Sequence, residues 1–563
     1  MDSGTVTKGD VKGGWNAAIF IIFVEVAERF AYYGLAGNLI TYLSKDLGQP
    51  LATAAQNVNL WSGISAIFPL VGAFVADSYL GRFHTILISS VIYLLGLIFL
   101  TLSVSVIPPL HRQASFFVAL YIVAIGEGGH KPCVQTFAAD QFNEEVEEEK
   151  MAKSSFFNWW YQGITIGATT AVFVVVYLED NVSWTVGIGV PAAAVGLASG
   201  LFLIGARRYR REGPPGSPFT RIVQVVVSAV RKRRLREALD SRGIYYEDMT
   251  VDGSGSWNRT ESLTHTPQFR WLDKAAVIDE VDAAGKSRDP WRLCPVNQVE
   301  ETKSVIQLMP IWVCCLMFAV VQAQMHTFFT KQGSTMDTSI GPSFHFSPAS
   351  LQGLVGVTIL ITVPLYDRVF VPLARKITNH PSGITMLQRI GFGLVLSILN
   401  MIVSALVEAR RVEVARKHGL LGMPKATVPM RVWWLLPQYM LCGASDVFAI
   451  VGLQELFYDQ MPPIMRSVGA GIYISVVGFG SLLSTAIIPM IKTASGRWGT
   501  EWLVDNLNQA RLDRYYWVLA TMSAINFGGF LLVARGFVYK HRADAKEGVH
   551  EIDLGSKPGT KDP

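Results

Sequence analysis

Twelve apolar blocks, each long enough to cross a lipid bilayer, are the strongest signal in this sequence. A helix needs about 20 apolar residues to cross about 30 Å of hydrocarbon, and blocks of that length satisfy their backbone hydrogen bonds there as helices. Charged residues make up 17% of the 563 residues, against about 25% in a typical soluble domain. Disorder, a coiled coil and a secreted disulfide scaffold are therefore excluded, and a soluble enzyme is disfavoured. The blocks lie near residues 15–43, 58–78, 84–107, 115–137, 155–178, 184–206, 303–329, 349–366, 384–407, 432–457, 467–491 and 515–539.

A long polar stretch, residues 207–302, divides the blocks six and six. We therefore predict an all-α membrane protein with twelve transmembrane helices in two six-helix bundles, the architecture of the major facilitator superfamily. The predicted parts are an N-terminal segment 1–14, an N-terminal bundle 15–206, a linker 207–302, a C-terminal bundle 303–540 and a tail 541–563.

Arginines cluster at the start of the linker and again after an apolar run within it. Residues 207–211 hold four arginines, and residues 231–236 hold four arginines and one lysine. This excess of positive charge predicts a cytoplasmic linker, and an even number of spans then places both termini on the same side. We expect residues 219–239 to lie on the membrane surface as an amphipathic helix and residues 240–290 to be flexible. A nucleic-acid site is the competing interpretation of the arginines, and we do not favour it.

Three ionisable residues fall within about one turn of the first span: Glu25, Glu28 and Arg29. Residues three and four apart share a helix face, so two carboxylates and a guanidinium converge. Each such group costs about 2.5–3.5 kcal/mol near the bilayer centre even on the lower scale. A purely structural Arg–Glu clamp is the alternative, but it leaves one carboxylate without a partner. We expect one acid to bind and release a proton, which makes protons the coupling ion.

Two further charged residues lie in different halves, Lys131 in the fourth span and Asp446 in the tenth. Pro132 interrupts the helix hydrogen-bond ladder beside Lys131. We expect an ion pair between Lys131 and Asp446 that gates a central cavity, and the alternative is that Lys131 extends to the membrane interface. His130 is expected to be a satisfied helix residue rather than a proton relay, and Glu127 is not required to point towards Lys131.

The loop after the second span contains Asp77 and, after a short turn, Gly81-Arg82. An acid at a helix end, followed by a tight turn and a cation, is predicted to latch neighbouring helices in one state of a rocking cycle. The stretch from Asp367 to Lys376 repeats the order of an acid followed by cations. This repeat favours two related halves.

Five short motifs occur along the first half of the chain: Glu25-x-x-Glu28-Arg29-Phe-x-Tyr-Tyr-Gly, the loop from Asp77 to Arg82, Lys131-Pro132, Ala139-Asp140-Gln141-Phe142, and Phe156-Phe157-Asn158-Trp159-Trp160. Together they resemble the plant nitrate/peptide transporter family, within the proton-dependent oligopeptide transporter superfamily, and its fifth subfamily in particular. The resemblance runs from the first span to the twelfth. It implies a twelve-helix major facilitator fold and proton-driven transport by alternating access.

The resemblance also implies roles for individual residues. Glu25, Glu28 and Arg29 would couple protons, and Lys131 with Asp446 would link gating to the substrate. We add cavity-lining side chains and the latch to this assignment: Gln322, Tyr32, Tyr33 and Trp159 for the cavity, and Asp77 with Arg82 for the latch.

Two departures from the family pattern bear on the substrate. Where a nitrate carrier of the family has a histidine in the seventh span, this chain has Gln322, which donates a hydrogen bond but adds no positive charge. Bacterial peptide carriers have a second arginine where this chain reads Leu35-Ala36-Gly37, and an asparagine where Thr165 stands. Neither substrate class is excluded.

We therefore expect a proton-coupled symporter of small nitrogenous solutes, with nitrate as the first choice. Di- and tripeptides come second and a specialised metabolite or hormone third, while a nutrient sensor is the alternative class. We expect no enzyme, because HExxH, G-x-S-x-G and phosphate-loop motifs are missing. The five cysteines show no paired spacing.

The expected partners of the chain follow from the same interpretation. They are a small solute, protons and the lipid bilayer, with no nucleic acid, no metal and no cofactor, and the chain is expected to be a monomer. We expect a multi-pass protein of the plasma membrane, with the vacuolar membrane as the alternative.

Overall fold

The structure is a computed structural model of the chain. It describes residues 12–537 except 144–146, 212, 214–215, 217, 234–245, 247–248, 252–256, 260–265, 267, 280–281, 283–288, 341–343, 379–383, 462–465 and 498. The predicted tail 541–563, most of the N-terminal segment and much of the stretch 240–290 therefore lie outside the described residues.

Each predicted span coincides with a helix in the described part of the chain. The helices are α1 (Trp15–Thr41), α2 (Leu51–Val75), α3 (Arg82–Ser105), α4 (Pro109–Ala139), α5 (Glu147–Thr170), α6 (Trp184–Gly205), α7 (Val296–Cys314 continued by Leu316–Gln322), α8 (Gly353–Leu365), α9 (Met386–Lys417), α10 (Leu436–Gln460), α11 (Arg466–Arg497) and α12 (Leu512–Gly536). Short π-helical turns extend α1, α2, α5, α7 and α8 over Tyr42–Asp46, Ala76–Leu80, Ala171–Val175, Met325–Phe329 and Tyr366–Phe370.

Within the described residues, nine helices are long and apolar enough to cross a membrane. A tenth span is α7, whose two parts meet at a bend of 44°. The two remaining long helices, α1 and α4, contain buried ionisable residues, among them Glu25, Glu28 and Glu127. Buried charges also occur in another span, at Glu408 and Arg411 of α9.

Glycines allow the helices of the first half to approach closely. A Cβ atom added at Gly72 of α2 would lie 2.1 Å from the carbonyl oxygen of Gly128 in α4, and one added at Gly126 would lie 2.5 Å from the backbone nitrogen of Tyr93 in α3. Large apolar side chains cover the outer surface of the helices, where Leu197 and Leu532 are more than 70% exposed. Such a surface suits contact with lipid tails.

The linker contributes a helix of its own, Pro218–Arg231. Its Val225 and Ala229 are buried in a small apolar cluster with Val299 of α7, and Gln298 donates a hydrogen bond to the carbonyl oxygen of Arg221 at 2.8 Å. The expectation that this helix lies on the membrane surface is therefore wrong for its apolar face, which packs against protein.

The described residues also contain short helices, Val176–Asn181, Arg270–Asp273, Thr330–Gly333 and Val371–Thr378, and six short strands. The strands are β1 (Met249–Val251), β2 (Trp257–Arg259), β3 (Met336–Asp337), β4 (Ser339–Ile340), β5 (Phe344–His345) and β6 (Val428–Arg431). β1 with β2 and β4 with β5 are antiparallel, whereas β3 with β6 is parallel.

Candidate functional site

A charged cavity of about 290 Å³ is lined mostly by the first half and reaches the side of the molecule that carries the linker, called the linker side below. Glu25, Arg29 and Lys131 line its inner part, and Asp77 with Arg82 line it near the loop between α2 and α3. Phe219 and Ile474 contribute from the linker helix and from α11. This space, the first lobe, is bounded by both halves of the protein.

A second space of about 310 Å³, the second lobe, adjoins the first through Ile164, which lines both. Tyr33 and Thr165 line it from the first half, and His326 and Asp446 line it from the second. Its remaining walls are mostly apolar. A solute in the two lobes would contact charged groups at one end and a mixed surface at the other.

The carboxylates of α1 meet Arg29 as their spacing predicts. Arg29 Nε lies 2.8 Å from Glu25 Oε1 and 3.3 Å from Glu28 Oε2, and the two acids are only 2% and 1% exposed. One guanidinium therefore serves two buried carboxylates. Neither oxygen of Glu28 has a hydrogen-bond donor from the protein.

Lys131 pairs with Glu127, one turn earlier in α4, and its Nζ lies 4.0 Å from the centre of the Tyr32 ring. Glu127 is fully buried, and Lys131 also interacts electrostatically with Arg29 and Glu28. We call Glu25, Glu28, Glu127, Arg29 and Lys131 the α1–α4 cluster. It contains three carboxylates and two cations, so one proton makes it neutral.

Asp446 does not pair with Lys131 in this conformation. Its Oδ1 accepts a hydrogen bond from Gln322 Nε2 at 2.6 Å, and Gln322 also lies 3.2 Å from the carbonyl oxygen of Cys442. The expected ion pair across the cavity is thus replaced by two separate contacts, Lys131 with Glu127 and Asp446 with Gln322. Both predicted side chains still line the space between the halves.

The predicted latch includes a third residue. Gly81 has a φ of 74°, a conformation that glycine adopts at little cost, and the turn brings Arg82 to 3.9 Å from Asp77. Arg82 pairs more closely with Asp140, at the end of α4. The latch therefore ties the turn between α2 and α3 to α4, and Asp140 was already part of a recognised motif.

Trp159 was expected to line the cavity, and this expectation is wrong. Its side chain is 61% exposed and lines neither lobe, whereas Trp160 is 3% exposed and lines the first lobe. Consecutive helix residues point about 100° apart, so only one of the two tryptophans faces inward.

His326 and Gln352 are polar residues of the second lobe that the sequence did not single out. His326 Nδ1 lies 2.8 Å from Gln352 Oε1, and Gln352 Nε2 donates to the carbonyl oxygen of Gly37 at 2.9 Å. Gln352 therefore joins the lobe wall to α1 of the other half. His326 lies four residues after Gln322, so the histidine missing from that position occurs one turn further along α7.

Contacts between the halves close the side opposite the linker, called the far side below. Asp180 accepts a hydrogen bond from Asn38 at 2.8 Å and another from Ser347 of the second half. The Leu51 backbone donates to Asp505 at 2.8 Å. The far side is therefore sealed by polar contacts, while the first lobe extends to the linker side.

Three buried side chains have the spacing of metal ligands. One carboxylate oxygen of Glu25, one of Glu28 and one ring nitrogen of His130 lie within 4.8 Å of one another. Arg29 already contacts both carboxylates, and its positive charge opposes a cation at the same oxygens. The arrangement suits a proton better than a metal ion.

Comparison with known proteins decides the family. A family model described as PTR2, POT family, matches residues 83–504. Protein NRT1/PTR FAMILY 5.4 of Arabidopsis thaliana is 54% identical over 550 residues, which cover 97% of this chain and 99% of the relative. The chain belongs to the POT family. The family predicted from the motifs is therefore confirmed.

Other members of the POT family agree in sequence or in fold. Protein NRT1/PTR FAMILY 5.10 of Arabidopsis thaliana is 49% identical over 546 residues, covering 94% of each chain. The crystal structure of an auto-inhibited POT family peptide transporter matches with a TM-score of 0.69 and 20% identity over 93% of this chain and 98% of that one. The transporter PepTSo matches with a TM-score of 0.67 and 21% identity over 92% and 98%.

Membership of the POT family establishes the broad class of this protein. It is a multi-pass membrane transporter with the major facilitator fold that the twelve blocks predicted. The roles assigned to Glu25, Glu28, Lys131 and the other site residues remain predictions, because sequence similarity does not test them.

Proposed function

We propose that this POT family chain is a proton-coupled symporter, in which the α1–α4 cluster binds one proton in each transport cycle. The observation that carries the proposal is the excess of one buried carboxylate over the cations in that cluster. An unbalanced charge in a low-dielectric site is costly, and a proton removes it. Because Glu25 lines the first lobe, the proton can be exchanged with water there.

Nitrate is the first candidate for the solute. Arg29 and Lys131 present cations to the first lobe, and an anion attracted to Lys131 would compete with Glu127. Uptake against a negative interior needs more than one proton, since one charge crossing 100 mV is worth about 2.3 kcal/mol and one proton only cancels the charge of nitrate. Asp446, which faces Gln322 rather than a cation, offers a second protonation site.

A zwitterionic di- or tripeptide is the second candidate, and the two lobes favour it. Lys131 lies in the first lobe and Asp446 in the second, so a carboxylate end and an amino end would each meet an opposite charge. A neutral zwitterion carried with one proton is driven by the membrane voltage, worth about 2.3 kcal/mol per 100 mV. It is also driven by the proton concentration gradient, worth about 1.4 kcal/mol per pH unit.

The membrane setting and the alternative class follow from the same proposal. We place the protein in the plasma membrane first and the vacuolar membrane second, acting as a monomer with protons as coupling ion and no cofactor. A nutrient sensor would bind the solute without moving it, and would need no proton exchange in the α1–α4 cluster.

Uptake by the purified full-length chain in proteoliposomes tests the proposal. Nitrate and a dipeptide are offered separately, with and without an inward proton gradient, and empty liposomes serve as the control. Gradient-dependent accumulation of one solute supports the symporter and identifies the candidate. Solute binding without flux under any gradient would contradict it and favour the sensor.

A further inference from the structure

Glu28 does not face the large lobes. It lines a separate cavity of about 10 Å³ that is enclosed by α1, α3, α4 and α6. A cavity of this size holds about one water molecule. The walls are Val24, Glu28, Ser90, Tyr93, His130, Val195, Ala198 and Ser199.

Polar atoms without protein partners concentrate around this cavity. Both oxygens of Glu28, the hydroxyls of Ser90 and Tyr93, and Nδ1 of His130 are buried without a hydrogen bond to protein. A buried polar group without a hydrogen bond destabilises the protein. A buried water forms about three hydrogen bonds, so a single molecule here satisfies several of these groups at once.

His130 also lies close to the carboxylates of Glu25 and Glu28. One of its ring nitrogens lies within 4.8 Å of an oxygen of Glu25 and of Glu28. The other titratable and charged groups around it are Arg29 on α1, Tyr93 on α3, and Lys131 with Glu127 on its own helix. An uncharged imidazole in this place accepts one hydrogen bond and donates another.

We propose that His130 and one water molecule in this cavity form a binding site for the proton on Glu28. The inference rests on the proposed function and names the residue that sets its pH dependence. When Glu28 is protonated, its hydroxyl donates to the imidazole nitrogen or to the water. When the proton leaves through Glu25 to the first lobe, the water donates to the Glu28 carboxylate in its place. His130 positions the proton and carries no net charge itself.

His130→Phe removes the acceptor while keeping a ring of similar size. The protonated form of Glu28 then loses its partner, so the proton is released more readily. We expect the pH that gives half-maximal gradient-driven uptake to shift by about one unit towards acid, which corresponds to losing one hydrogen bond of about 1.5 kcal/mol. His130→Gln keeps a hydrogen-bonding side chain, so we expect a smaller shift in the same direction.

The matched control is His84→Gln, which changes an exposed histidine at the start of α3. Solute counterflow without a proton gradient is measured for each variant, because it reports folding and solute binding independently of coupling. We expect counterflow to persist in His130→Gln and the control to keep the wild-type midpoint.

Two results separate this inference from the function on which it rests. If wild type shows gradient-driven uptake and His130→Gln and His130→Phe both keep its pH midpoint, the role of His130 is refuted while the symporter stands. If wild type shows no proton dependence at all, the proposed function itself fails. Should His130→Phe not fold, the midpoint of His130→Gln decides alone.

Discussion

Gln322 is the hydrogen-bond partner of Asp446, the acidic residue that lines the second lobe. Its amide donates to Asp446 at 2.6 Å and is held by a second contact of 3.2 Å to the Cys442 carbonyl. A hydrogen bond to a charged group contributes about 1.5–3 kcal/mol. Gln322 therefore orients Asp446 towards the lobe and compensates its charge in part.

Gln322→Leu is expected to weaken solute binding by about tenfold or more, since the loss of about 1.5 kcal/mol corresponds to that factor. The change should appear in the KM of uptake, and the thermal unfolding midpoint should fall as well because Asp446 loses its hydrogen bond. Gln113→Leu, an exposed glutamine at the start of α4, is the control. An unchanged KM in Gln322→Leu would show that Asp446 and its partner lie outside the solute path.

Some site residues could be predicted from spacing and others could not. Glu25, Glu28 and Arg29 are on one helix face by sequence arithmetic, and Glu127 with Lys131 obeys the same rule of four residues. The choice between Trp159 and Trp160 depends on the rotation of α5, which is set by packing against other helices. His130 was expected to be satisfied, but its Nδ1 has no hydrogen bond to protein, because its surroundings come from α1 and α3, far away in sequence.

Close packing of α2 on α4 leaves no room for a side chain at Gly72. The space for a Cβ atom at Gly72 is occupied by the backbone of Gly128, 2.1 Å away. Overpacking of this kind costs about 1–3 kcal/mol. The contact matters for the site because α4 carries Glu127 and Lys131.

Gly72→Ala is therefore expected to lower the thermal unfolding midpoint of the detergent-solubilised protein. Gly528→Ala on α12 is the matched control, since a Cβ atom there meets nothing within 4 Å. Equal midpoints for the two variants would contradict the packing described for α2 and α4.

The linker contains its own buried ion pair, Lys232 Nζ to Asp282 Oδ2 at 2.6 Å. Burial alone would raise the pKa of Asp282, but hydrogen bonds from Lys232 and from the Asp279 backbone outweigh it and hold the pKa below its usual value. A depressed pKa means that the pair stabilises the fold above about pH 4 and that this stability is lost as the pH falls further. The pH dependence of transport near neutrality should therefore not arise here.

Asp282→Asn tests whether the ion pair of the linker contributes to the pH dependence of transport. We expect the midpoint pH of uptake to stay at the wild-type value, while the stability of the linker falls by on the order of 2 kcal/mol. Limited proteolysis at neutral pH measures the second effect. A shift of the uptake midpoint in this variant would place part of the proton response in the linker.

The linker helix shows the limit of sequence prediction for an element. Its amphipathic pattern predicts a helix with an apolar face, and the helix exists. The pattern does not identify what covers that face, because lipid and the side of α7 both bury apolar residues. The last turns of α9 contain four cations, Arg410, Arg411, Arg416 and Lys417. Arg411 is fully buried against Glu408 at 2.7 Å, so part of that charge is structural.

At the scale of the whole molecule, the two halves meet on the far side and part on the linker side. The far-side contacts between the halves include Asp180 with Ser347, Leu51 with Asp505, and Gln352 with Gly37. The sequence predicted two bundles, and the resemblance implied alternating access. Which side is open depends on the balance of many small contacts between the halves, which no local pattern contains.

Asp180→Ala is expected to destabilise the far-side seal by about 1 kcal/mol, since it removes the hydrogen bond from Ser347 that joins the two halves. The far-side-open state should then be populated about fivefold more. The variant Thr169→Cys places a thiol in the second lobe. Modification of this thiol by a membrane-impermeant reagent added on the far side reports that state. The five native cysteines are all buried. Glu413→Ala, an exposed acid of α9, is the control, and equal labelling rates would contradict the assigned seal.

Proton-driven accumulation by Glu28→Gln, compared with wild type and with Glu413→Gln in proteoliposomes, tests the charge balance of the α1–α4 cluster most directly. Glutamine removes the excess carboxylate, so no proton is needed for neutrality. We predict that Glu28→Gln exchanges solute by counterflow but no longer concentrates it under a proton gradient, whereas both other proteins do. Uphill accumulation by Glu28→Gln with the wild-type sensitivity to pH would contradict the account.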